Sequence, residues 1–465
     1  MPLINPSPIP AFSSLGHVHF IAIGGAGMSA LASGFLQQGA QVSGSDQHES
    51  EALEQLRRQG ARVWLGHDPS HLRDVDTVVV SSAVHEENPE LAQARRLGLP
   101  VLHRSLALAS LIGDREAVCV TGTHGKTTTS AMCVAALWRD DPSYVIGATL
   151  LDTGAGAHIG RGRAFIVEAD ESDGSFLQYP TRVAVITSID VDHLDNWGSA
   201  DHYARGFEDF ATGDTVSLVI LDGDNIGARG LGQKLRAAGR AVMMYGESPD
   251  CDVRLTQISL NGFTSEALVN HGDWSGHMRI DLPGAHNLHN AAAAFCVGEA
   301  LGQDKDSMLR GLASFQGTAR RFQRVGEADG ITVIDDYAHH PTEVAATIAS
   351  ARTVARGARV IVCFQPHLFS RTLLFADDFG AVLAKADHGV VLDIYPAREE
   401  PIEGVSGELV ATAVTAHGGE VTYVPDFDDA VDALCSLIRP GDLVLTVGAG
   451  SVTEVGPRLL RRLEQ

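Results

Sequence analysis

Residues 118–133, VCVTGTHGKTTTSAMC, run from an apolar strand through a glycine-rich turn into a helical pattern. In that turn Gly122, Gly125, Lys126 and Thr127 stand where backbone N–H groups can surround β and γ phosphates, an ammonium can neutralise them and a hydroxyl can ligate Mg2+. The spacing is shorter than the strict nucleotide-triphosphate loop, which would have glycine where Val120 stands. Packing alone gives little reason for Gly-Lys-Thr-Thr-Thr at such a junction, so the stretch reads as a site for ATP.

Two acidic clusters follow at the ends of the next apolar runs. IVEADESDGSF carries Glu168, Asp170, Glu171 and Asp173, and ITSIDVDHLDNWG carries Asp190, Asp192, His193 and Asp195. For either alone, a solvated acidic loop is the competing reading. Ligands of parallel sheets bind outside the strand C-termini, so two such clusters beside a phosphate turn point to Mg2+ ligation. A second glycine turn, GGAGMSA, places Gly25, Gly27 and Ala30 between a strand and a helix, with Asp46 nineteen residues beyond Gly27. That pattern suits a diphosphate and a ribose hydroxyl, and both a dinucleotide and a nucleotide-sugar satisfy it.

The elements that must position these residues are repeated β-then-α units. Three glycine turns follow apolar runs, in 17–35, 117–137 and 442–460, and further strand-then-helix patterns surround each. Only 253–284 alternates with period two and reads as antiparallel. The expected fold is α/β with three domains, each with a largely parallel sheet. Residues 1–113 form a Rossmann-like domain, 114–325 a central P-loop ATPase domain with an additional antiparallel sheet, and 326–465 a second Rossmann-like domain.

Net charge is −23, with 58 acidic against 35 basic residues, which disfavours nucleic acid and anionic membrane as partners. No stretch approaches the ~20 apolar residues of a membrane span, and MPLINPSPIPAFSSLG lacks a basic start and a long apolar run. A cytoplasmic protein, monomeric or weakly dimeric, is expected. Six scattered cysteines without a CxxC pair read as core hydrophobes.

In order along the chain, GTHGKTTT, EADESDGSF, DHLD, HNLHN, RRF, DDYAHHPTE and FQPH with SRT resemble the Mur ligases, the ATP-dependent amino-acid ligases of peptidoglycan precursor synthesis. The shortened phosphate turn is the one that family uses. The resemblance implies ATP-driven joining of L-alanine to the lactyl carboxylate of UDP-N-acetylmuramic acid through an acyl phosphate. It implies Gly122, Thr123, His124, Gly125, Lys126, Thr127 and Thr128 around the phosphates, with Asn287, Asn290 and Arg321 completing the ATP site. Two Mg2+ ions are implied, one on Thr127 and Glu168 and one on His193. Gly24, Gly25, Ala26, Gly27, Met28, Ser45, Asp46, His67 and Ser82 would bind the UDP-sugar rather than NAD. Tyr337, His339, His367 and Arg371 would bind the amino acid, and Lys126, Glu168, His193 and Arg371 would be catalytic.

Several bland readings compete with these assignments. Asn287 and Asn290 also suit a helix cap, Arg320 and Arg321 a solvated basic pair, and His339 and His367 packed or capping positions. Leu368 stands where the family commonly has arginine. Several sister enzymes carry a carbamylated lysine near the second metal, but no lysine occurs between Lys126 and Lys234, which favours the alanine-adding branch or its peptide-recycling relative. EADESDGSF resembles the alanine-adding form. From another class, a nucleotide-dependent dehydrogenase built on the first turn would leave Lys126 and the acidic clusters without a role.

Overall fold

A computed structural model of the protein describes residues 4–397 and 399–464, apart from the side chains of Leu194 and Asp195. The chain forms two compact units. One contains the residues up to Ile258 with Ala267–Ile280 and Leu288–Gln316, and the other Ser259–Glu266, Asp281–Asn287 and the chain from Gly317 on.

The first sheet comprises β1 (Val18–Ile21), β2 (Val42–Asp46), β3 (Arg62–Leu65), β4 (Thr77–Val80) and β5 (Val101–His103). All pairings are parallel, in the order β3-β2-β1-β4-β5. β1 is VHFI and wholly buried, as a strand covered on both faces by crossover helices must be. The order reverses between β1 and β4, so the crevice at their C-terminal ends is where a ligand of this sheet is expected, and the GGAGMSA turn opens there.

Behind that crevice lies Glu90, the second residue of helix Pro89–Leu97, which Asn88 caps. Its carboxylate is fully buried. Oε2 accepts from Ser45 Oγ at 2.5 Å and faces His67 Nδ1 at 3.3 Å and His19 Nε2 at 3.5 Å. Oε1 lies 2.7 Å from His71 Nδ1 and accepts the Asp68 N–H at 3.2 Å. Burial opposes the charge, but the hydrogen bonds from His19, Ser45 and His71 outweigh it and hold the carboxyl at about 2.

The second sheet comprises β6 (Glu116–Thr121), β7 (Ser143–Leu150), β8 (Ala155–His158), β9 (Ala164–Glu168), β10 (Thr181–Ile186), β11 (Leu218–Asp222), β12 (Val242–Gly246), β13 (Val253–Asn261), β14 (Thr264–His271) and β15 (Trp274–Ile280). Its order is β15-β14-β13-β12-β11-β10-β6-β9-β7-β8. The expected additional antiparallel sheet is instead an extension of this one, because β13 pairs in parallel with β12 through Tyr245–Val253 and Gly246–Arg254. Two-residue turns then connect β13, β14 and β15. The antiparallel β7–β8 pair was not expected: AGAH has no β-branched or aromatic residue to mark a strand.

Rings buried beneath the two acidic loops join them. Phe176 stacks on Phe210 with centroids 5.0 Å apart, Phe207 meets Phe176 at 5.7 Å and Tyr203 at 5.1 Å, and Trp197 meets Tyr203 at 6.0 Å. The third sheet comprises β16 (Gln323–Ala328), β17 (Ile331–Asp336), β18 (Val360–Phe364), β19 (His388–Leu392), β20 (Val421–Val424) and β21 (Leu443–Val447). In the order β16-β17-β21-β18-β19-β20, only β16 runs antiparallel to its neighbour. All six cysteines are free, and four of them are buried.

Phe207→Ala removes the ring between Phe176 and Tyr203 and is expected to lower the unfolding free energy by ~3–5 kcal/mol in urea titrations. The Glu90 carboxyl is held at about 2 in the folded chain against an ordinary 4.5. Its contribution is therefore present above pH 4.5 and is lost as the pH falls through that window towards 2. Glu90→Gln should remove ~3 kcal/mol at neutral pH and flatten the acid limb of the stability profile, measured by urea unfolding at each pH.

Candidate active site

The phosphate turn is pinned from two sides. Gly122 has φ +132°, and a Cβ there would collide with Thr187 Oγ1 and Ser188 N. Gly125 is left-handed at φ +83°, with Asn290 Oδ1 2.7 Å from where its Cβ would stand. The Thr123 and His124 N–H groups donate to Ser188 O at 3.1 Å and Ser188 Oγ at 2.9 Å. Helix Lys126–Ala136 begins without a side-chain cap, which leaves N-terminal N–H groups directed at the turn, as an anion site requires. Thr128 sits in its first turn, half-buried.

Lys126 Nζ donates to Gly122 O at 2.7 Å and to Glu171 Oε1 at 2.9 Å. Burial disfavours the ammonium, yet Glu171, Asp170 and Glu168 outweigh it and hold Lys126 above the usual lysine value. Thr127 Oγ1 donates to Glu168 Oε1 at 2.7 Å, while Glu168 Oε2 accepts the Gly147 N–H at 2.7 Å. A hydroxyl and a carboxylate brought together at a helix start form a hard oxygen donor pair of the kind Mg2+ takes.

Each acidic residue of 168–173 has its own partner. Besides these pairings of Glu168 and Glu171, Asp170 Oδ2 accepts from Arg104 Nη2 at 2.9 Å and Asp173 Oδ2 from Ser82 Oγ at 3.0 Å. Trp197 Nε1 and Tyr203 OH donate to Glu171 O and Oε1 at 2.9 and 3.4 Å. His193, at φ +52°, places Nε2 3.7 Å from Glu171 Oε1 and 3.6 Å from Asp192 Oδ2, so it joins the Lys126–Glu171 pair. Asp190 receives Asn225 Nδ2 at 3.2 Å. The Asp195 side chain lies outside the described residues.

Asn290 accepts from Thr129 Oγ1 at 3.0 Å, on the helix that follows the phosphate turn. Asn287 donates to Pro283 O at 2.9 Å, and His289 between them lies 2.8 Å from Asp222 Oδ2. Both asparagines are buried.

At the first glycine turn, Asp46 Oδ2 accepts the Gly24 N–H at 2.8 Å, and helix Ala26–Gln37 begins at Gly25 without a side-chain cap. Gly24, Gly25, Ala26, Gly27 and Asp46 thus line one turn, and Ser82 and His103 share a hydrogen bond of 3.1 Å. Two of the residues expected at the UDP-sugar have side chains engaged within the protein. The Met28 side chain belongs to the apolar core, and Ser45, fully buried, is engaged by Glu90 and by His67 Nδ1 at 2.8 Å.

In the second unit, Tyr337, His339, His367 and Arg371 come together beyond the ends of β17 and β18. His339 meets Tyr337 edge-on with centroids 5.3 Å apart and lies 5.9 Å from the His367 ring. Arg371 Nη1 is 3.4 Å from His367 Nδ1. Burial holds His339 below the usual histidine value against the pull of Glu343. Sequence reading missed Tyr395, which stacks on His367 at 5.9 Å, since it lies 28 positions away with no motif around it. Leu368 is buried at φ +72° and starts helix Phe369–Leu383, its N–H donating to Tyr395 O at 3.0 Å.

Arg320 is no solvated cation. Its Nη2 donates to Gly448 O at 2.6 Å and Gly450 O at 3.1 Å, closing the last glycine turn, and its guanidinium lies 4.8 Å from the Tyr337 ring centre. Arg321 stacks on the same ring at 5.1 Å. Asp336, which accepts from Phe322 N and Ala338 N at 2.8 Å each, is raised by burial to about 6 even with Arg321 near.

Three family models match in succession: the Mur ligase catalytic domain over 17–116, the middle domain over 120–298 and the glutamate ligase domain over 320–450. A UDP-N-acetylmuramate–L-alanine ligase of Cutibacterium acnes is 53% identical over 100% of this chain and 99% of its own, and one of Thermobifida fusca is 46% identical over 100% of both. Among solved structures, a UDP-N-acetylmuramate-alanine ligase from Thermotoga maritima superposes with a TM-score of 0.83 at 28% identity, covering 96% of this chain and 99% of that one. A murein peptide ligase from Psychrobacter arcticus shares the fold, with a TM-score of 0.72 at 23% identity over 96% and 98%. With the phosphate turn, its acidic partners and a full-length match of this order, the chain belongs to the Mur ligase family.

Proposed function

We propose that the protein is an ATP-dependent ligase that joins the amine of L-alanine to the lactyl carboxylate of UDP-N-acetylmuramic acid, giving UDP-N-acetylmuramoyl-L-alanine, ADP and phosphate. The observation that carries this reading is 53% identity over the whole chain to a relative of that name. Residues 1–113 would take the UDP-sugar, 114–325 ATP and 326–465 the amino acid, with β16 straddling the last boundary.

A carboxylate is a poor electrophile, so the γ-phosphoryl group is first moved onto it, and the amine then displaces phosphate through a tetrahedral intermediate. Such transfer rests on positioning and charge neutralisation. Lys126, kept protonated in its buried setting, meets the charge on the transferring phosphoryl group. The uncapped helix start and the N–H groups of Gly122 and Gly125 would hold the phosphates, with Thr123 and His124 fixing the turn through their bonds to Ser188. Thr127 with Glu168 would hold one Mg2+ and His193 a second, and ions bound there would neutralise phosphate oxygens and the substrate carboxylate. Asn290, whose Oδ1 faces Gly125, would complete the ATP site. At the amino acid, Arg371 pairs with the alanine carboxylate and Tyr337 and His367 wall the pocket. His339, held neutral by burial, takes the amine proton.

Among the described residues no helix is long and apolar enough to cross a membrane. A cytoplasmic monomer or weak homodimer fits this reading.

Lys126→Ala should lower turnover by about three orders of magnitude while UDP-N-acetylmuramate binds with near-normal affinity, measured by phosphate release and by calorimetry. Near-normal phosphate release from that variant would refute the assignment. In a coupled ADP-release assay with the UDP-sugar present, L-alanine should give the highest kcat/KM of an amino-acid panel. Preference for a free tripeptide over alanine would instead identify a peptide-recycling ligase.

A further inference from the structure

Arg104 is the first residue of helix Arg104–Ile112, next to the end of β5, and no motif singles it out. Its guanidinium lies across the first glycine turn, with Nη1 3.5 Å from the position a Cβ on Gly27 would occupy. Nη2 donates to Asp170 Oδ2 at 2.9 Å, and among the described residues this is the only hydrogen bond the Arg104 side chain makes. An arginine has five N–H donors in a planar fork, so most of them are unspent. The side chain is 27% exposed, so part of it is open to solvent.

The surroundings favour an anion there. The uncapped start of helix Ala26–Gln37 adds its partial positive charge at the same turn. Of the nearby carboxylates, Asp46 is engaged by the Gly24 N–H, Asp173 by Ser82 and the Ser175 N–H, and Asp170 by Arg104 itself. In a chain of net charge −23, a partly open guanidinium over a phosphate-type turn is the local cation such a ligand needs.

Resting on the nucleotide-sugar reading above, we propose that Arg104 binds the diphosphate of the UDP-sugar, its free N–H fork closing over the anion from the side opposite the Gly24–Gly27 backbone. Asp170 holds the fork in register from behind. Asp170 also faces Lys126, so one carboxylate is counter-ion to the cation at each nucleotide site.

The test is calorimetric titration of the full-length protein with UDP. Arg104→Gln should weaken UDP binding ~10- to 100-fold, the loss expected for a charge-assisted pair of hydrogen bonds, and Arg104→Lys should recover only part of it. Retained binding of a nonhydrolysable ATP analogue and an unchanged melting temperature report that the fold is intact. Asp170→Asn loosens the tie to the acidic loop but leaves the guanidinium, and should lower UDP affinity by clearly less than Arg104→Gln does. Equal UDP binding by Arg104→Gln and wild type would overturn the proposal, as would an equal loss in Asp170→Asn, which would make Arg104 a structural tie. If the wild-type protein failed to bind UDP at all, the nucleotide-sugar reading itself would fall, and the proposal with it.

Discussion

The buried pairing of Lys126 with Glu171 is the constraint on which the rest of the central site depends. An ammonium placed to meet phosphate oxygens must be held charged in a buried position before any phosphate arrives, and an unpaired buried charge is costly. Glu171 supplies the counter-charge at 2.9 Å. Its own position is set by Trp197 and Tyr203, which donate to it, and those rings belong to the aromatic cluster with Phe176, Phe207 and Phe210. The chemistry of the turn is thus tied to apolar packing several residues away.

The stretch 168–173 extends the same logic. Its four acidic side chains reach in turn to Thr127, Arg104, Lys126 and Ser82, so one short segment after β9 joins the phosphate turn to the first sheet. Strongly acidic overall, the chain places its few cations where carboxylates already hold them.

Much of this was legible in the residues. The glycine turns, the acidic clusters and the parallel strand pattern carry their own physical reasons, because a phosphate site needs glycine, an uncapped helix start and a nearby cation in one short run. Less legible were pairings between distant segments. Glu171 stood in a recognised cluster, but its partnership with Lys126 spans 45 positions, and Arg104 lies 66 positions from Asp170. Met28 sits inside a recognised turn and Ser45 on β2, yet both side chains are buried, Met28 in the apolar core and Ser45 against Glu90 and His67. The extension β13–β15 read as a separate sheet because period two reveals antiparallel pairing but says nothing of which strand it joins.

Read alone, the residues specify the kind of chemistry: which of them can cradle phosphate, ligate a hard cation or pair with a carboxylate, and the α/β class that presents them at strand ends. Those follow from side-chain type and short-range spacing. Only the tertiary structure decided which charge answers which. Arg320 closes a glycine turn 128 positions away, Tyr395 stacks on His367, and Glu90 gathers His19 of β1 with His67 and His71 of the segment after β3. Such partnerships depend on the order in which strands assemble, a long-range property that no local pattern of residue types contains.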